Sequence, residues 1–249
     1  MPQLEIDAVG RNYGGVHAVQ NVSFGVDKGE WIGVIGPNGA GKSTLFNILG
    51  GQVSPSAGHV RLDGRDITRL PAHRRFGAGI SRSFQISSLF PELTVREHLT
   101  LACRRQHRWN LVRSSRKEQE VNARVDRILD QWDLGKDRDA LQPAAMSYGE
   151  QRRLELAIAV SSEPKLLLLD EPNVGLTESE RQDLRDRVSE LGPDTAVIFV
   201  AHDMDMVMGW SHRILVMHQG QLVADDSPEA IAKNPFVEEV YLGVEPVIA

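Results

Sequence analysis

The sequence has little of three features that mark whole classes of protein. Its single cysteine, Cys103, cannot form an internal disulfide, which fits a reducing, cytosolic setting. Acidic residues outnumber basic ones, 34 to 28, and the formal charge of −6 argues against a broad nucleic-acid-binding face. No apolar run approaches the roughly 20 residues of a membrane-spanning helix, and residues 1–5 do not resemble a secretory signal. Any contact with a membrane is therefore expected to go through a partner.

The sequence also lacks internal repeats and low-complexity linkers. Its 249 residues suffice for one large core, so we expect one domain or one domain with a lobe. The first third predicts β structure, with strands at 4–9, 22–26 and 59–64 and a turn at Gly14-Gly15. Residues 166–169 and 196–200 are apolar throughout, which is typical of parallel strands covered on both faces. The fold class is therefore predicted to be α/β.

The middle of the chain has a helical character. Thr94-Val95-Arg96-Glu97 and Ser115-Arg116-Lys117-Glu118 are capping boxes that predict two helix starts, and an apolar face from Val121 to Trp132 predicts a helix stopped by Gly135. We expect residues 86–163 to form a helical lobe inserted into a nucleotide-binding core of residues 1–85 and 164–249.

The most specific motif fits G-x-x-x-x-G-K-[ST] and lies between a short apolar run at 31–35 and a predicted helix start. Its glycines allow backbone N–H groups to surround a phosphate, and the helix adds its positive dipole end. The lysine is expected to reach the β- and γ-phosphates, and the serine hydroxyl to bind Mg²⁺. The predicted phosphate loop comprises Gly36, Pro37, Asn38, Gly39, Ala40, Gly41, Lys42, Ser43 and Thr44.

Three polar residues follow the two apolar strands. Asp170 is placed like the metal-side aspartate of P-loop NTPases, and Glu171 could orient or deprotonate a water in line with the γ-phosphate. His202 follows the next strand and could meet the same site. The alternatives at this stage are a solvated turn for the acidic pair and a structural role for the histidine.

Taken together, the ordered motifs resemble the ATP-binding subunit of an ABC transporter. They are the phosphate loop, Gln85, the run Ser147-Tyr148-Gly149-Glu150-Gln151-Arg152-Arg153, Asp170-Glu171 and His202. The resemblance covers nearly the whole chain. It implies a RecA-like α/β core, an antiparallel β part and a helical lobe, with two cassettes enclosing two ATP molecules between one subunit's phosphate loop and the other's signature motif.

The resemblance also assigns roles to single residues. It implies that Tyr13 stacks on adenine, although an ordinary turn tyrosine is the alternative, and that Gln85 contacts Mg²⁺ and the attacking water. It implies that the signature residues Ser147, Gly149 and Glu150 bind the partner's ATP, a role compatible with the helix cap that Ser147-x-x-Glu150 predicts.

Three positions depart from the family pattern. Tyr148 stands where glycine is commoner, Glu150 where glutamine is commoner, and Thr177 where most members carry an aspartate that communicates across the dimer. The first two are regarded as tolerated variants, whereas Thr177 lacks the carboxylate of that aspartate. Thr177-Glu178-Ser179-Glu180 is also a capping box, and it predicts a helix closed by Gly192-Pro193. Since Glu171 is intact, we expect active hydrolysis.

Finer features are similar to the ATPase subunits of branched-chain amino-acid and amide importers, and Gly175-Leu176-Thr177 is similar to urea-type members. This resemblance implies two membrane permease subunits, a second related ATPase, a periplasmic solute-binding protein, and a homo- or heterodimer at the cytoplasmic face of the inner membrane. The alternatives are an ATPase of lipopolysaccharide or lipid export, a soluble ABC-type ATPase, and a small-molecule P-loop kinase.

Overall fold

The computed structural model describes residues 2–83, 89–105 and 115–242, and these form two compact units. Unit 1 takes the described residues within Met1–Ile80, Lys165–Pro172 and Pro193–Ala249. Unit 2 takes those within Ser81–Pro164 and Asn173–Gly192. The chain therefore leaves unit 1 after its first 80 residues and returns to it twice.

Unit 1 contains a four-stranded antiparallel sheet in the order β2-β1-β4-β5. The strands β1 and β2 are longer than predicted because they continue to both sides of the Gly14-Gly15 turn, where Tyr13 pairs with Val16. The bounds are Leu4–Tyr13 for β1, Val16–Val26 for β2, Ala57–Leu62 for β4 and Arg65–Asp66 for β5.

A second sheet has the strand order β10-β9-β3-β8-β7-β6. Strand β3 pairs in parallel with β8 and β9, and β7 in parallel with β8, while β10 closes an antiparallel hairpin with β9. The carboxyl ends of these parallel strands share one edge, the edge at which α/β sheets bind ligands. The bounds are Trp31–Ile35 for β3, Ile80–Arg82 for β6, Leu166–Asp170 for β7, Ala196–Val200 for β8, Arg213–His218 for β9 and Gln221–Asp226 for β10.

The apolar runs predicted as parallel strands form the centre of this sheet. All five residues of β7 and all five of β8 are buried, and they pair in register from Leu166 with Ala196 to Asp170 with Val200. Burial on both faces explains why neither strand shows the alternation of a half-exposed strand.

Helices complete unit 1, and the helix after β3 is anchored at its end by a buried arginine. The Arg75 guanidinium donates hydrogen bonds of 2.7 and 2.8 Å to the carbonyls of Ile48 and Leu49, and it also bonds the carbonyls of Leu70 and Thr68 at 3.0 Å. Desolvation by burial lowers the pKa of Arg75 to about 10, so the side chain remains charged at neutral pH. The helices are α1 (Lys42–Leu49), α2 (Ala72–Ala78), α7 (Met204–Trp210), α8 (Pro228–Ile231) and α9 (Pro235–Leu242).

Unit 2 is helical, and its core contains the predicted apolar face. Val121, Val125, Ile128, Leu129 and Trp132 are all buried, as their spacing predicts. Its helices are α3 (Val95–Arg105), α4 (Ser115–Gln131), α5 (Tyr148–Val160) and α6 (Glu178–Ser189), with short 3-10 turns at Lys136–Arg138 and Pro143–Ala145.

Two helix ends were predicted too late in the chain. Helix α4 ends at Gln131, where Asp133 takes a left-handed conformation with φ 52°, and not at Gly135. Helix α6 ends at Ser189 and not at Gly192. Aspartate tolerates the left-handed region better than most residues, so it can end a helix without glycine.

Residues 173–192 belong to unit 2, although the sequence analysis assigned them to the core. Leu184 and Val188 of α6 are buried, and Leu184 shares the lining of a small pocket with Trp132 and Leu156 of unit 2. The Arg187 guanidinium also donates to the carbonyl of Gln131. These tertiary contacts, which sequence order does not reveal, tie α6 to α4 and α5.

Candidate functional site

The predicted phosphate loop connects β3 to α1 and has backbone conformations that require glycine. Gly36, Gly39 and Gly41 have φ of 150°, 80° and 101°. A Cβ atom on Gly36 would lie 2.2 Å from the carbonyl oxygen of Met217, and one on Gly41 2.3 Å from that of Ala18. The loop is therefore held closely against the backbone of β9 and β2, where only glycine fits.

The start of α1 is open to a ligand. Its N-cap is Gly41, no side chain of the described residues bonds its first N–H groups as a cap, and its first turn has no acidic residue. The positive end of the helix dipole and the unsatisfied N–H groups therefore point toward a common region. This arrangement is suited to binding an anion such as a phosphate.

Lys42 lies at the start of α1, and its side chain is almost fully buried. Its ammonium donates to the carbonyls of Gly36 at 2.6 Å and Pro37 at 3.1 Å. Burial lowers the pKa of Lys42, while the negative charges of Glu171 and Asp170 act in the opposite direction. The lysine and both carboxylates are therefore close enough to interact electrostatically.

Asp170 and Glu171 lie at the carboxyl end of β7. Asp170 is buried and pairs in register with Val200, and the Glu171 N–H donates to the Val200 carbonyl at 2.9 Å. Glu171 itself has φ 48°, a left-handed conformation that is uncommon for a residue with a side chain. Its carboxylate oxygen Oε1 lies 3.2 Å from Nε2 of His202, which follows β8. The two predicted site residues therefore contact each other.

A pocket of about 420 Å³ brings most of the predicted residues of unit 1 together. Its lining includes residues 38–44 of the phosphate loop, Glu171 and His202. It also includes Val16, His17, Ala18 and Gln219, which the sequence analysis missed because they lie on β2 and on the turn between β9 and β10. The Gln20 side chain bonds the Gln219 carbonyl at 2.9 Å across 199 positions of sequence, and no local pattern signals such a contact.

Tyr13 lies beside this pocket and is not among the residues that line it. It is 43% exposed and pairs across the turn with Val16, which does line the pocket. The Arg11 guanidinium lies 4.6 Å from the centre of the Tyr13 ring, and this cation–π contact covers one ring face. Arg11 is held in turn by a 3.0 Å bond to the Ser54 carbonyl. Gln85 lies outside the described residues.

The signature residues form the start of α5 in unit 2. The Ser147 hydroxyl accepts from the Glu150 N–H at 3.3 Å, and the Glu150 carboxylate accepts from the Ser147 N–H at 2.8 Å, which completes the predicted capping box. Arg138 donates to the same carboxylate at 2.8 Å. Bonds from the Ser147 N–H and hydroxyl, followed by that from Arg138, lower the pKa of Glu150. Glu150 is therefore held as a carboxylate at neutral pH.

The family described as "ABC transporter" matches residues 19–174, which is more than half of the chain. This chain belongs to the ABC transporter family. It is 37% identical over 253 residues to the high-affinity branched-chain amino acid transport ATP-binding protein BraF of Pseudomonas aeruginosa, covering 97% of this chain and 98% of the relative. It is also 37% identical over 250 residues to LivG of Salmonella typhimurium, which has the same description, with 97% and 98% covered.

Solved structures agree with this assignment. The ATP-binding cassette MJ1267 in its ADP conformation superposes with a TM-score of 0.82 at 26% identity, covering 98% of this chain and 99% of that one. Another structure of MJ1267 gives 0.84 at 28% identity, with 97% and 99% covered. The chain is an ATPase subunit of an ABC transporter, with the P-loop α/β fold expected from the sequence. In the described part of the chain, no helix is long and apolar enough to cross a membrane.

Proposed function

We propose that this chain is the Mg²⁺-dependent ATPase subunit of an importer for branched-chain amino acids or related small amides such as urea. It binds two permease subunits at the cytoplasmic face of the inner membrane, pairs with a second copy or a related ATPase, and responds to a periplasmic solute-binding protein. The proposal for the solute is supported by the 37% identity to BraF and LivG over 97% of the chain.

In this function, ATP binds with its phosphates at the open start of α1. Lys42 exchanges the carbonyls of Gly36 and Pro37 for the β- and γ-phosphates, which are stronger partners for an ammonium because they are charged. The region around Tyr13, Val16 and His17 receives the adenine, with stacking on the Tyr13 face that Arg11 leaves open. Ser147, Gly149 and Glu150 meet the ATP of the partner subunit.

The donor set near Lys42 fits a magnesium site. Ser43 offers an exposed hydroxyl that lines the pocket, and Asp170 offers a carboxylate near the lysine, which together are hard oxygen ligands of the kind Mg²⁺ prefers. Among the described residues there is no group of three or more His, Cys, Asp or Glu that could hold a metal. Phosphate oxygens and Gln85 would complete the site under this proposal. When bound, the metal would neutralise charge on the phosphates.

Hydrolysis is assigned to Glu171, with His202 as its orienting partner. Glu171 accepts the proton of a water that attacks the γ-phosphate, and the histidine, whose Nε2 lies 3.2 Å from Oε1, holds the carboxylate in place. The observation that carries the proposal is the contact between Glu171 and His202 in a pocket that the phosphate loop also lines.

The experiment for the catalytic assignment is Glu171→Gln. The amide keeps the size of the side chain and loses the proton acceptor, so we expect turnover to fall by roughly a hundredfold or more while ATP binding persists. The matched control is Glu229→Gln on the exposed start of α8, which should hydrolyse ATP like the wild type. An unchanged rate in Glu171→Gln would overturn this role.

The experiment for the transport assignment is purification of the tagged chain from its native membrane, followed by mass spectrometry. We expect two permease subunits, a second cassette when the dimer is heteromeric, and ATPase activity stimulated by a binding protein loaded with a branched-chain amino acid or amide. Recovery of a lipid-export assembly, or stimulation by an unrelated solute alone, would overturn the importer proposal without affecting the ATPase assignment.

A further inference from the structure

Tyr148, one of the departures from the family pattern, contacts the loop that leads into α6. Its ring lies against the backbone of Gly175: a Cβ atom on this glycine would be 2.4 Å from Cε1 and 2.9 Å from Cδ1 of the tyrosine. Gly175 has φ 77°, so the glycine permits both the left-handed turn and the close approach of the ring. The contact lies within unit 2, and the tyrosine remains 55% exposed.

A second contact joins the same two helix starts, this time between a side chain of α6 and a glycine of α5. Glu180 of α6 accepts from the N–H and the hydroxyl of Thr177 at 2.8 Å each through Oε2. Its other oxygen, Oε1, covers Gly149, where a Cβ atom would lie 2.8 Å away. A side chain from each helix start therefore covers a glycine of the other. We name these four residues, Tyr148, Gly149, Gly175 and Glu180, the interlock.

The interlock joins two segments that both have a role under the proposed function. Asn173 to Thr177 follow Glu171 after a single proline, and Ser147, Gly149 and Glu150 are the residues that meet the partner's ATP under the proposed function. The interlock thus connects the start of α5, which contains the signature residues, to the segment that follows Glu171. Thr177 serves this arrangement as the cap that fixes Glu180.

We propose that Tyr148 is a positioning residue that fixes the segment 173–177 to the start of α5, so that contact with the partner's nucleotide is linked to the segment that follows Glu171. The inference rests on the proposed function. Because the ring contacts a glycine backbone through Cε1 and Cδ1, the aromatic ring carries the effect and the hydroxyl is dispensable.

The test compares Tyr148→Phe with Tyr148→Gly in the assembled transporter. We expect Tyr148→Phe to stay within twofold of wild type. Tyr148→Gly, which restores the commoner family residue, should lower kcat about tenfold and leave KM for ATP within twofold, since Lys42 and the phosphate loop are unchanged. Wild-type kcat in Tyr148→Gly, or an equal loss in Tyr148→Phe, would overturn the proposal.

A double-mutant cycle with Gly175→Ala tests the contact itself. With Tyr148 present, the methyl group of Gly175→Ala clashes with the ring and also strains the backbone at its positive φ. In Tyr148→Gly the clash is absent and only the backbone strain remains. The drop in thermal midpoint caused by Gly175→Ala should therefore be clearly larger with Tyr148 than without it, and additive drops would overturn the inference. If the wild-type transporter did not hydrolyse ATP, the proposed function would be overturned as well. If it hydrolysed ATP but the drops in thermal midpoint were additive, only the role of Tyr148 would be overturned.

Discussion

The starts of α1 and α5 are both glycine-containing loops assigned to phosphate, and they satisfy their backbone donors in opposite ways. Helix α1 begins at a left-handed glycine with no side-chain cap among the described residues and no acid in its first turn. Helix α5 begins at Ser147 with a complete capping box, and its first turn contains a carboxylate. A helix start is thus an anion site by itself only when its donors are left open. The donors at the α1 start are therefore available to an anion, whereas the α5 start is capped by its own side chains.

The largest expected effect comes from replacing glycines in the loop before α1. It distinguishes a steric requirement for glycine from a requirement for a left-handed backbone. Gly41→Ala places a methyl group 2.3 Å from the Ala18 carbonyl at φ 101°, while Gly39→Ala has a comparable φ of 80° and no atom within 4 Å. We expect Gly41→Ala to cost about 3 kcal/mol of unfolding free energy and to abolish measurable ATP binding, because the backbone must move. Gly39→Ala should cost about 1 kcal/mol.

Urea denaturation and calorimetric ATP titration of both variants measure these effects. Equal losses in the two variants would mean that the left-handed backbone alone, and not the contact with β2, sets the requirement for glycine at the α1 start.

The next largest effect is expected from removing the helix cap at the start of α5. Ser147→Ala removes the cap of α5, and Thr94→Ala removes the equivalent capping box of α3, in which the Glu97 N–H donates to Thr94 at 3.2 Å. Each should cost about 1 kcal/mol of unfolding free energy. Only Ser147→Ala should also lower turnover, by about tenfold, since Ser147, unlike Thr94, meets the partner's ATP under the proposed function.

Thermal or urea unfolding and steady-state ATPase assays on the same preparations test this pair. If Thr94→Ala lost as much turnover as Ser147→Ala at equal loss of stability, the contribution of Ser147 would be that of a cap and nothing more.

The smallest effect concerns the charge at the α5 start. Arg138→Gln leaves the Glu150 carboxylate without its cation, although Ser147 still donates to it. Because this ion pair is only partly buried, we expect a two- to fivefold weaker ATP-driven dimer, which corresponds to about 0.5–1 kcal/mol. Adding Glu150→Gln should restore dimerisation, since glutamine also completes a capping box.

Sedimentation of the ATP-bound dimer at low and high salt measures this change, which should shrink as salt screens the charge. A defect that persisted after Glu150→Gln would show that Arg138 acts through something other than the carboxylate.

The features that could be predicted from the sequence are those that depend on residues close together in the chain. The apolar runs of β7 and β8, the glycines of the phosphate loop and the capping boxes at Thr94, Ser147 and Thr177 each act within a few residues, and all have the predicted structure. The same holds for the acidic pair at the end of β7, since strand ends meet at one edge of a parallel sheet.

What could not be predicted depends on contacts between distant residues. Gly41 needs its small size because of Ala18, and Gly36 because of Met217, which lies 181 positions further along the chain. Helix α6 belongs to unit 2 through residues such as Leu184, which lines a pocket with Trp132 and Leu156 from distant parts of the sequence. The ring of Tyr148 is accommodated only because Gly175 lies beneath it, and no spacing rule brings those two residues together.

The anchoring of α1 by Arg75 has a consequence for local unfolding. A helix of eight residues is too short to persist alone in water, and α1 is held at its carboxyl end by a side chain of α2 that bonds two of its last carbonyls. Opening of α1 would leave a buried guanidinium without these partners, so α1 and α2 should open together, and hydrogen exchange of their amides should report one common opening free energy. An opening free energy of α2 well below that of α1 would show that α1 is held by other contacts.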